Sequence, residues 1–429
     1  MLNLRAVITT ALLFAGQTSS WPAKKGKNWV DIWGTMPQLT ELHNLPPEPF
    51  TTNEGVLQDA TVRSTMYVTL SASTIRLQIS NVFGGTDLPV TEVTLAKPAN
   101  GSAGVRSVQA STITPVTFSG WKDFIVPSGS AVLSDPLDMS VDAGTNLAVS
   151  MYLAEGQMGN AITSHPGSRT DSYFASGNLV NEASFPANAT SAAHWFFISA
   201  LEGWADEHAS AVVVVGDSIS DGRGSTTNGN DRWPDQLLGR MRERWSTRDI
   251  AVINEAAGGN RLLLDGLGPN ALGRIDRDVI AQSGVKYAIV LEGVNDFGAA
   301  DPDQETQEEI AQRLISAYDQ MIARLHRFGI AVFGGTITPC SGPGQSYGEG
   351  YRENTRQTLN EWIRNSGRFD GVVDFDKMVR NPANETMLLG EYDDGDYLHL
   401  NPLGYQKMAE AVDLSLFWRF EDGPESEFT

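Results

Sequence analysis

The chain has 429 residues, 41% of them hydrophobic and 9% aromatic, with 52 acidic against 31 basic side chains and a formal charge of −21. Such a composition excludes a disordered chain, and the length exceeds what one hydrophobic core serves, so two domains are expected. The negative charge repels nucleic-acid phosphates and anionic lipid surfaces, which excludes nucleic-acid and membrane partners and points to a small or neutral substrate.

The chain opens MLNLRAVITTALLFAGQTSSW: one cation at Arg5, an apolar run from Ala6 to Ala15, then small polar residues to Ser20. This is a secretory signal pattern, too short to span a bilayer, so residues 1–20 are expected to be a leader and the protein to be extracellular. Asn-x-Ser/Thr triplets starting at Asn100, Asn188 and Asn384 fit a glycosylated secreted chain. Cys340 is the only cysteine, so no disulfide forms within the chain, and it reads as a small buried hydrophobe.

From about Trp29 to Trp204, short runs rich in β-branched residues are broken by Gly, Pro, Asn and Ser: STMYVTL, TIRLQIS, SVQASTITPVTF, NLAVSMYL and HWFFISAL. Period-two alternation between turn signals predicts an all-β sandwich or jelly-roll-like domain over residues 21–205. The aromatics of HWFFISALEGW, at strand spacing, read as core rather than as a platform for sugar rings.

The period then changes. SAVVVVG before Asp217, IAVIN, KYAIVLEG, IAVFGGTIT and GVVDF are apolar runs suited to strands buried on both faces. Between them, Trp233, Leu237, Leu238, Met241 and Trp245 share a helical face over Arg232 to Trp245. Ile310, Leu314, Tyr318, Met321, Leu325 and Phe328 do the same over Glu305 to Phe328, where His326 reads as a partly exposed structural histidine. Strands alternating with helices predict a parallel sheet in an α/β domain over residues 206–420, followed by an acidic tail, 421–429. In such sheets sites form at the carboxyl ends of the strands.

Polar blocks come directly after those strands. GDSISDG stands after the first, NEAAGGN after the second and GVND after the third, and DYLH lies near the C-terminus. These four blocks resemble those of the SGNH, or GDSL, hydrolase superfamily, whose invariant groups are a Ser, a Gly, an Asn and a His, with an Asp three residues before the His. The matching positions are Ser218, Gly259, Asn295, His399 and Asp396. The resemblance runs from about Ala209 to Phe420 and implies a flavodoxin-like three-layer αβα SGNH hydrolase domain. Ser220 stands where many members have Thr, and Ala256, Ala257 and Gly258 stand where a Gly-Ile-x-Gly pattern is usual, which makes Gly258 a rival to Gly259. The β-rich region ahead of DRWPDQL and GGNRLL is similar to that of acetylxylan-esterase-type members, and implies a jelly roll packed on the catalytic domain and O-acylated carbohydrates as substrates.

The chemistry of the residues runs beside the resemblance. Acyl transfer needs a nucleophile, a base and donors for the developing oxyanion. Ser218 would be the nucleophile, His399 the base, and Asp396 the group that orients His399. The oxyanion donors would be the backbone N–H of Ser218 and of Gly259 and the side-chain amide of Asn295; with no Cβ, Gly259 can approach the ester closely. Candidate substrate contacts are Asp217, His165 in TSHPGSRTDSY, and Tyr347 in the Gly-rich loop Pro339 to Tyr351. His43, His194 and His208 read as structural or surface residues. There is no G-x-S-x-G elbow, no H-E-x-x-H and no Cys/His cluster, so neither an α/β-hydrolase fold nor a metal or cofactor is expected.

The expected function is that of a secreted serine esterase removing acetyl or other short acyl groups, on carbohydrate. A lipase or arylesterase with the same residues competes with it, although no amphipathic lid is evident. A carbohydrate-binding protein with a degenerate esterase domain would need a missing catalytic group, and none is missing. The stretch EYDDGDYLHLN fits no EF-hand register: starting at Asp393 puts Gly395 at a ligand position, and starting at Asp394 puts Leu398 at the fifth. Asp393 and Asp394 therefore read as solvated charges, Gly395 as room to turn, and Asn401 and Pro402 as the start of a helix running through Met408 to Phe417.

Overall fold

The computed structural model describes residues 26–424; the expected leader and residues 425–429 of the expected tail lie outside them. Within that span the first half is antiparallel. Its main strands are β1 Lys27–Gly34, β2 Ala60–Val68, β3 Ile75–Ser80, β4 Glu92–Ala96, β5 Thr145–Leu153, β6 Ser172–Ser176 and β7 Ile198–Asp206. One sheet runs β1, β7, β3 and Ala131–Leu133; another runs Thr190–Ala192, β6, β2, β5, β4 and Thr114–Val116. In β3 the period of two is direct: Ile75, Leu77 and Ile79 are buried while Arg76 and Gln78 are half-buried.

Two predicted strands are shorter than their composition suggests. In SVQASTITPVTF only Thr114–Val116 is strand, because Ala110–Thr112 closes a 3₁₀ turn. HWFFISAL breaks at Phe197, whose φ is 62°. Trp195, Phe196 and Phe197 are all buried, and the Trp195 indole donates to the Thr65 carbonyl at 3.0 Å, so these aromatics are core.

The second half carries strands β8 Ser210–Gly216, β9 Ile250–Asn254, β10 Val285–Leu291, β11 Ala331–Gly335 and β12 Gly371–Val373, all parallel, in the spatial order β9, β8, β10, β11, β12. Helix α2 Trp233–Arg242 packs on β9 and on helix α6 Pro402–Ala411. A second group is built on α4 Gln304–His326, which contacts β11 and helix α5 Arg352–Asn365. Helix layers on a parallel sheet leave the strands no wet face, which is why β8 is buried at every position. This is the flavodoxin-like, three-layer order, and the chain reverses its direction of progress between β8 and β10, opening a crevice at their carboxyl ends.

Three helix ends differ from the periodic reading. Helix α2 stops at Arg242, where the Thr247 hydroxyl donates to the Met241 carbonyl at 2.8 Å and turns the chain; Trp245 is left 82% exposed rather than on the apolar face. Helix α4 stops at His326, whose Nε2 meets Asp370 Oδ2 at 2.9 Å, and Phe328 projects into solvent. Helix α6 ends at Ala411, and a separate short helix, Ser415–Arg419, starts beyond Asp413, whose carboxylate accepts from the Ser415 N–H.

The two halves share contacts from the first strand onward. The Asp31 N–H donates to the Ser283 carbonyl at 2.9 Å, and the Ser283 N–H to Asp31 Oδ2 at 2.7 Å. A Cβ on Gly34 would stand 2.6 Å from Glu255 Oε1 and from Ile253 Cγ2, so this strand lies against the end of β9 with no room for a side chain there. Among the described residues no helix is long and apolar enough to cross a membrane.

Candidate active site

Ser218 opens the one-turn helix α1, Ser218–Asp221, directly after β8. Asp217 is extended and caps the turn, accepting the Ile219 N–H at 2.9 Å, and Gly222 at φ 97° ends it. As first residue of a helix, Ser218 has no preceding turn to take its N–H, and that N–H has no partner among the described residues. Asp217 is therefore structural and not a substrate contact. It is buried, and burial, with Asp296 and Asp221 nearby, pushes its carboxyl up to about 7.

From the far end of the chain, His399 reaches Ser218: Nε2 lies 2.8 Å from Oγ. Its Nδ1 lies 2.6 Å from Asp396 Oδ2, while Asp396 Oδ1 accepts the N–H of His399 at 2.8 Å and of Leu398 at 3.0 Å. A carboxylate only accepts, so Nδ1 carries the hydrogen and Nε2 presents a lone pair to the serine. Burial raises the Asp396 carboxyl, but the backbone N–H and ring of His399 outweigh it and hold it below its ordinary value. Burial likewise depresses His399; contact with Asp396 works against this, and the charges of Arg223 and Arg169 add to it.

The loop before His399 is built by its own acids. Asp393 is not a solvated charge: Oδ1 accepts the N–H of Gly395 at 2.9 Å and of Tyr397 at 3.0 Å, folding a turn in which Gly395 has φ 105°. Asp394 is exposed. Asn401 caps α6, accepting the Gly404 N–H at 3.0 Å. Among the described residues no group of three or more His, Cys, Asp or Glu side chains could hold a metal ion.

Gly258 and Gly259 are now separable. The Gly258 N–H donates to Asp221 Oδ2 at 2.9 Å, whereas the Gly259 N–H has no partner among the described residues and Gly259 lines the cleft at φ 72°. Asn295 lies in the short helix α3, Val294–Gly298, after β10. One N–H of its amide donates to the Asn260 carbonyl at 2.9 Å, and Tyr347 donates its hydroxyl to Asn295 Oδ1 at 3.0 Å. Asn260 is in turn fixed by buried Arg274, whose Nη2 lies 2.9 Å from Asn260 Oδ1. The neighbouring Asp296 accepts the N–H groups of Leu262 and Leu263 at 2.8 and 2.9 Å, tying the loops after β9 and β10 together.

These groups face a cleft of about 800 Å³. One wall comes from the α/β half: Ser218, Arg223, Gly258, Gly259, Asn295, Gln345, Tyr347 and His399. The other comes from the β-rich half: Gln38, Glu41, His43, Asn44, Arg169 and His194. His43 and His194, read from the sequence as structural or surface residues, thus stand on the cleft wall. His165 is the reverse case. It is buried, with Nδ1 2.9 Å from the Met36 carbonyl and Nε2 2.9 Å from Asp221 Oδ1, so both nitrogens are occupied and it is no substrate contact. Tyr347 borders the cleft as expected of its loop. Asn100, Asn188 and Asn384 are all exposed. Cys340 is buried and its thiol pushed up to about 12 by burial, which removes it from nucleophilic chemistry.

An ordered serine–imidazole–carboxylate line with unoccupied N–H donors beside it can carry out acyl transfer. The chain is similar to solved structures that include a variant of an acetyl xylan esterase from Geobacillus stearothermophilus, at 17% identity and a TM-score of 0.37 over 51% of this chain and 97% of that one. Another is a GDSL-like lipase from Bacteroides thetaiotaomicron VPI-5482, at 16% identity and a TM-score of 0.35 over 49% of this chain and 88% of that one. No curated protein matches the chain. Residues 214–407 match the model of the GDSL-like Lipase/Acylhydrolase family, a span that contains Ser218, Gly259, Asn295, Asp396 and His399. It is to the GDSL-like lipase/acylhydrolase family, then, that the α/β half of this chain is similar.

Proposed function

We propose that the protein is a serine esterase releasing acetyl or other short acyl groups from a hydroxylated, carbohydrate-like alcohol. The observation that carries the reading is the continuous line from Ser218 Oγ through His399 to Asp396, with steps of 2.8 and 2.6 Å. Ser218 Oγ attacks the ester carbonyl carbon as His399 Nε2 takes its proton. Negative charge builds on the carbonyl oxygen, to which the N–H groups of Ser218 and Gly259 and the second N–H of the Asn295 amide, all from residues lining the cleft, would donate. Collapse breaks the bond to the alkoxy oxygen, His399 returns the proton to the departing alcohol, and the acyl group stays on Ser218. Water then attacks the acyl-enzyme with His399 again as base, and the acid leaves.

A short acyl group and a hydroxylated alcohol are supported by the cleft walls, which are lined chiefly by polar and charged side chains, Pro166, Leu267 and Leu398 being exceptions. Long acyl chains need an apolar trough. Action outside the cell is part of the proposal; the signal pattern of residues 1–20 and the exposure of the three sequon asparagines support it. The test is acetate release from acetylated xylan, pectin and glucomannan together with an acyl-chain-length profile on small esters. Ser218→Ala is expected to remove hydrolysis, and a preference for acyl chains of about eight carbons or more would overturn the carbohydrate reading in favour of a lipase.

A further inference from the structure

We propose that the cleft selects esters whose alcohol portion carries a carboxylate, so that O-acylated uronic acid units are the substrate class; this rests on the esterase reading above. Arg169 and Arg223 both line the cleft. Neither guanidinium makes an ion pair or a hydrogen bond among the described residues, and Arg169 Nε is buried without a partner. Elsewhere in this acidic chain buried arginines are satisfied: Arg63 by Ser150 and carbonyls, Arg274 by Asp278 and Asn260, Arg356 by Glu353 and Asp376.

The acids around the cleft do not neutralise the pair. Glu41 accepts from Gln38 and Asn44, Asp221 from Gly258 while contacting His165, and Asp396 from His399. Two open cations at the mouth of a cleft, on a chain of charge −21, form a local site of the opposite sign.

The pair is also built. Each half supplies one arginine, and Asn228 pins their loops together: its N–H donates to the Arg169 carbonyl at 2.8 Å, its Oδ1 accepts the Asp171 N–H at 2.8 Å, and its Nδ2 donates to Asp171 Oδ2 at 2.9 Å. Arg169 is held at φ 49°, a left-handed conformation that a residue with a side chain adopts at a cost and keeps only where its surroundings impose it. Position along the reaction is set by the neighbours. Tyr347 bonds Asn295 on the oxyanion side, whereas the Tyr405 hydroxyl donates to the Arg223 carbonyl and a Cβ on Gly224 would stand 2.4 Å from the Leu400 carbonyl oxygen. The Arg223 loop thus packs on the arm that carries His399, the group that hands a proton to the departing alcohol; Asn228 ties Arg169 to that loop, and both arginines belong to the His399 side. The anion they receive therefore belongs to the alcohol, and the planar guanidinium fork matches a carboxylate.

The test compares kcat/KM on an acetylated methyl galacturonoside, its neutral carboxyl methyl ester, and a succinyl half-ester of a neutral alcohol, in the wild type, Arg223→Gln and the double variant Arg169→Gln/Arg223→Gln. The wild type is expected to prefer the uronate over its methyl ester by about tenfold or more, as for a charge-assisted hydrogen bond, with the margin shrinking in salt. Arg223→Gln, an exposed position that pins no backbone, is expected to lose part of that ratio and the double variant all of it. Equal turnover of acid and methyl ester by the wild type, or a ratio that survives the double variant, overturns the proposal; preference for the succinyl half-ester overturns its placement on the alcohol side. Absence of hydrolysis of every ester, a neutral acetyl ester included, would sink the esterase reading itself, an outcome distinct from hydrolysis without preference.

Discussion

His165 Nε2 stands 2.9 Å from Asp221 Oδ1, both side chains buried, and the other oxygen of Asp221 holds the Gly258 N–H at 2.9 Å. A residue of the β-rich half is thus two bonds away from the turn that presents Gly259 to the cleft. Removing the imidazole leaves a buried carboxylate with only one donor, and breaking a buried pair of this kind costs about 3–5 kcal/mol. His165→Ala is expected to lower the unfolding free energy by that amount, read as a lower denaturant midpoint at unchanged slope, and to reduce kcat on a small acetyl ester in the protein that remains folded. An unchanged midpoint would show that the two halves do not depend on this contact.

Gly259 is required for two separable reasons. A Cβ there would come within 2.6 Å of Leu267 Cδ1, and φ 72° lies in the left-handed region, which costs a residue with a side chain roughly 1–2 kcal/mol. Gly259→Ala is expected to reduce kcat by about 10²-fold, the loss of one oxyanion donor. Because Leu267 is a half-exposed, flexible side chain, Gly259→Ala/Leu267→Ala relieves the contact but not the backbone strain. Partial recovery of kcat in the double variant is the expected result, and full recovery would assign the whole effect to Leu267.

Much of this site is legible in the sequence because its parts sit at strand ends. Ser218, Gly259 and Asn295 each stand just past an apolar run, and a parallel sheet delivers such positions to one edge whatever the loops between them do. What composition hides is the pairing of side chains across the halves. His165 and Arg169 share the stretch TSHPGSRTDSY; the first is buried against Asp221 and the second lines the cleft, and nothing in their spacing distinguishes the two. Asp217 has the look of a site residue for the same reason that it is none: it must cap the turn that exposes Ser218. Net charge misleads in a similar way, since −21 summed over the chain conceals two arginines at the cleft that have no ion-pair partner among the described residues. Helix ends such as Arg242 are lost because a single threonine cap decides them.

The pH dependence is set by His399. Burial, Arg223 and Arg169 together take its ring below its ordinary 6.5 despite the contact with Asp396. The base works as neutral imidazole, so kcat/KM on a neutral acetyl ester is expected to fall as pH drops through a midpoint below 6.5 and to be level above it. The two arginines disfavour the imidazolium, and replacing both with glutamine is expected to move that acid limb to higher pH. A limb that stays in place in the double variant would mean that neither charge reaches the imidazole.

In the proposed mechanism Tyr347 positions the oxyanion side. Its hydroxyl donates to Asn295 Oδ1 at 3.0 Å, which settles which end of the amide faces the cleft: one N–H goes to the Asn260 carbonyl, and the other is left for the ester oxygen. The ring lies against Gly298, where a Cβ would stand 2.3 Å from Tyr347 Cδ1, so the close approach depends on glycine. The same loop reaches the other arm of the site, since Gln345 Nε2 donates to the Asp396 carbonyl at 2.8 Å. Tyr347→Phe keeps the ring packing and deletes one hydrogen bond of about 1 kcal/mol, so kcat is expected to fall several-fold, with KM close to that of the wild type. Asn295→Ala removes the donor itself and is expected to cost about 10²- to 10³-fold. A hydroxyl that only stabilised the fold would lower the denaturant midpoint and leave kcat alone. If instead Tyr347→Phe raises KM at constant kcat, the hydroxyl binds substrate directly and does not act through Asn295.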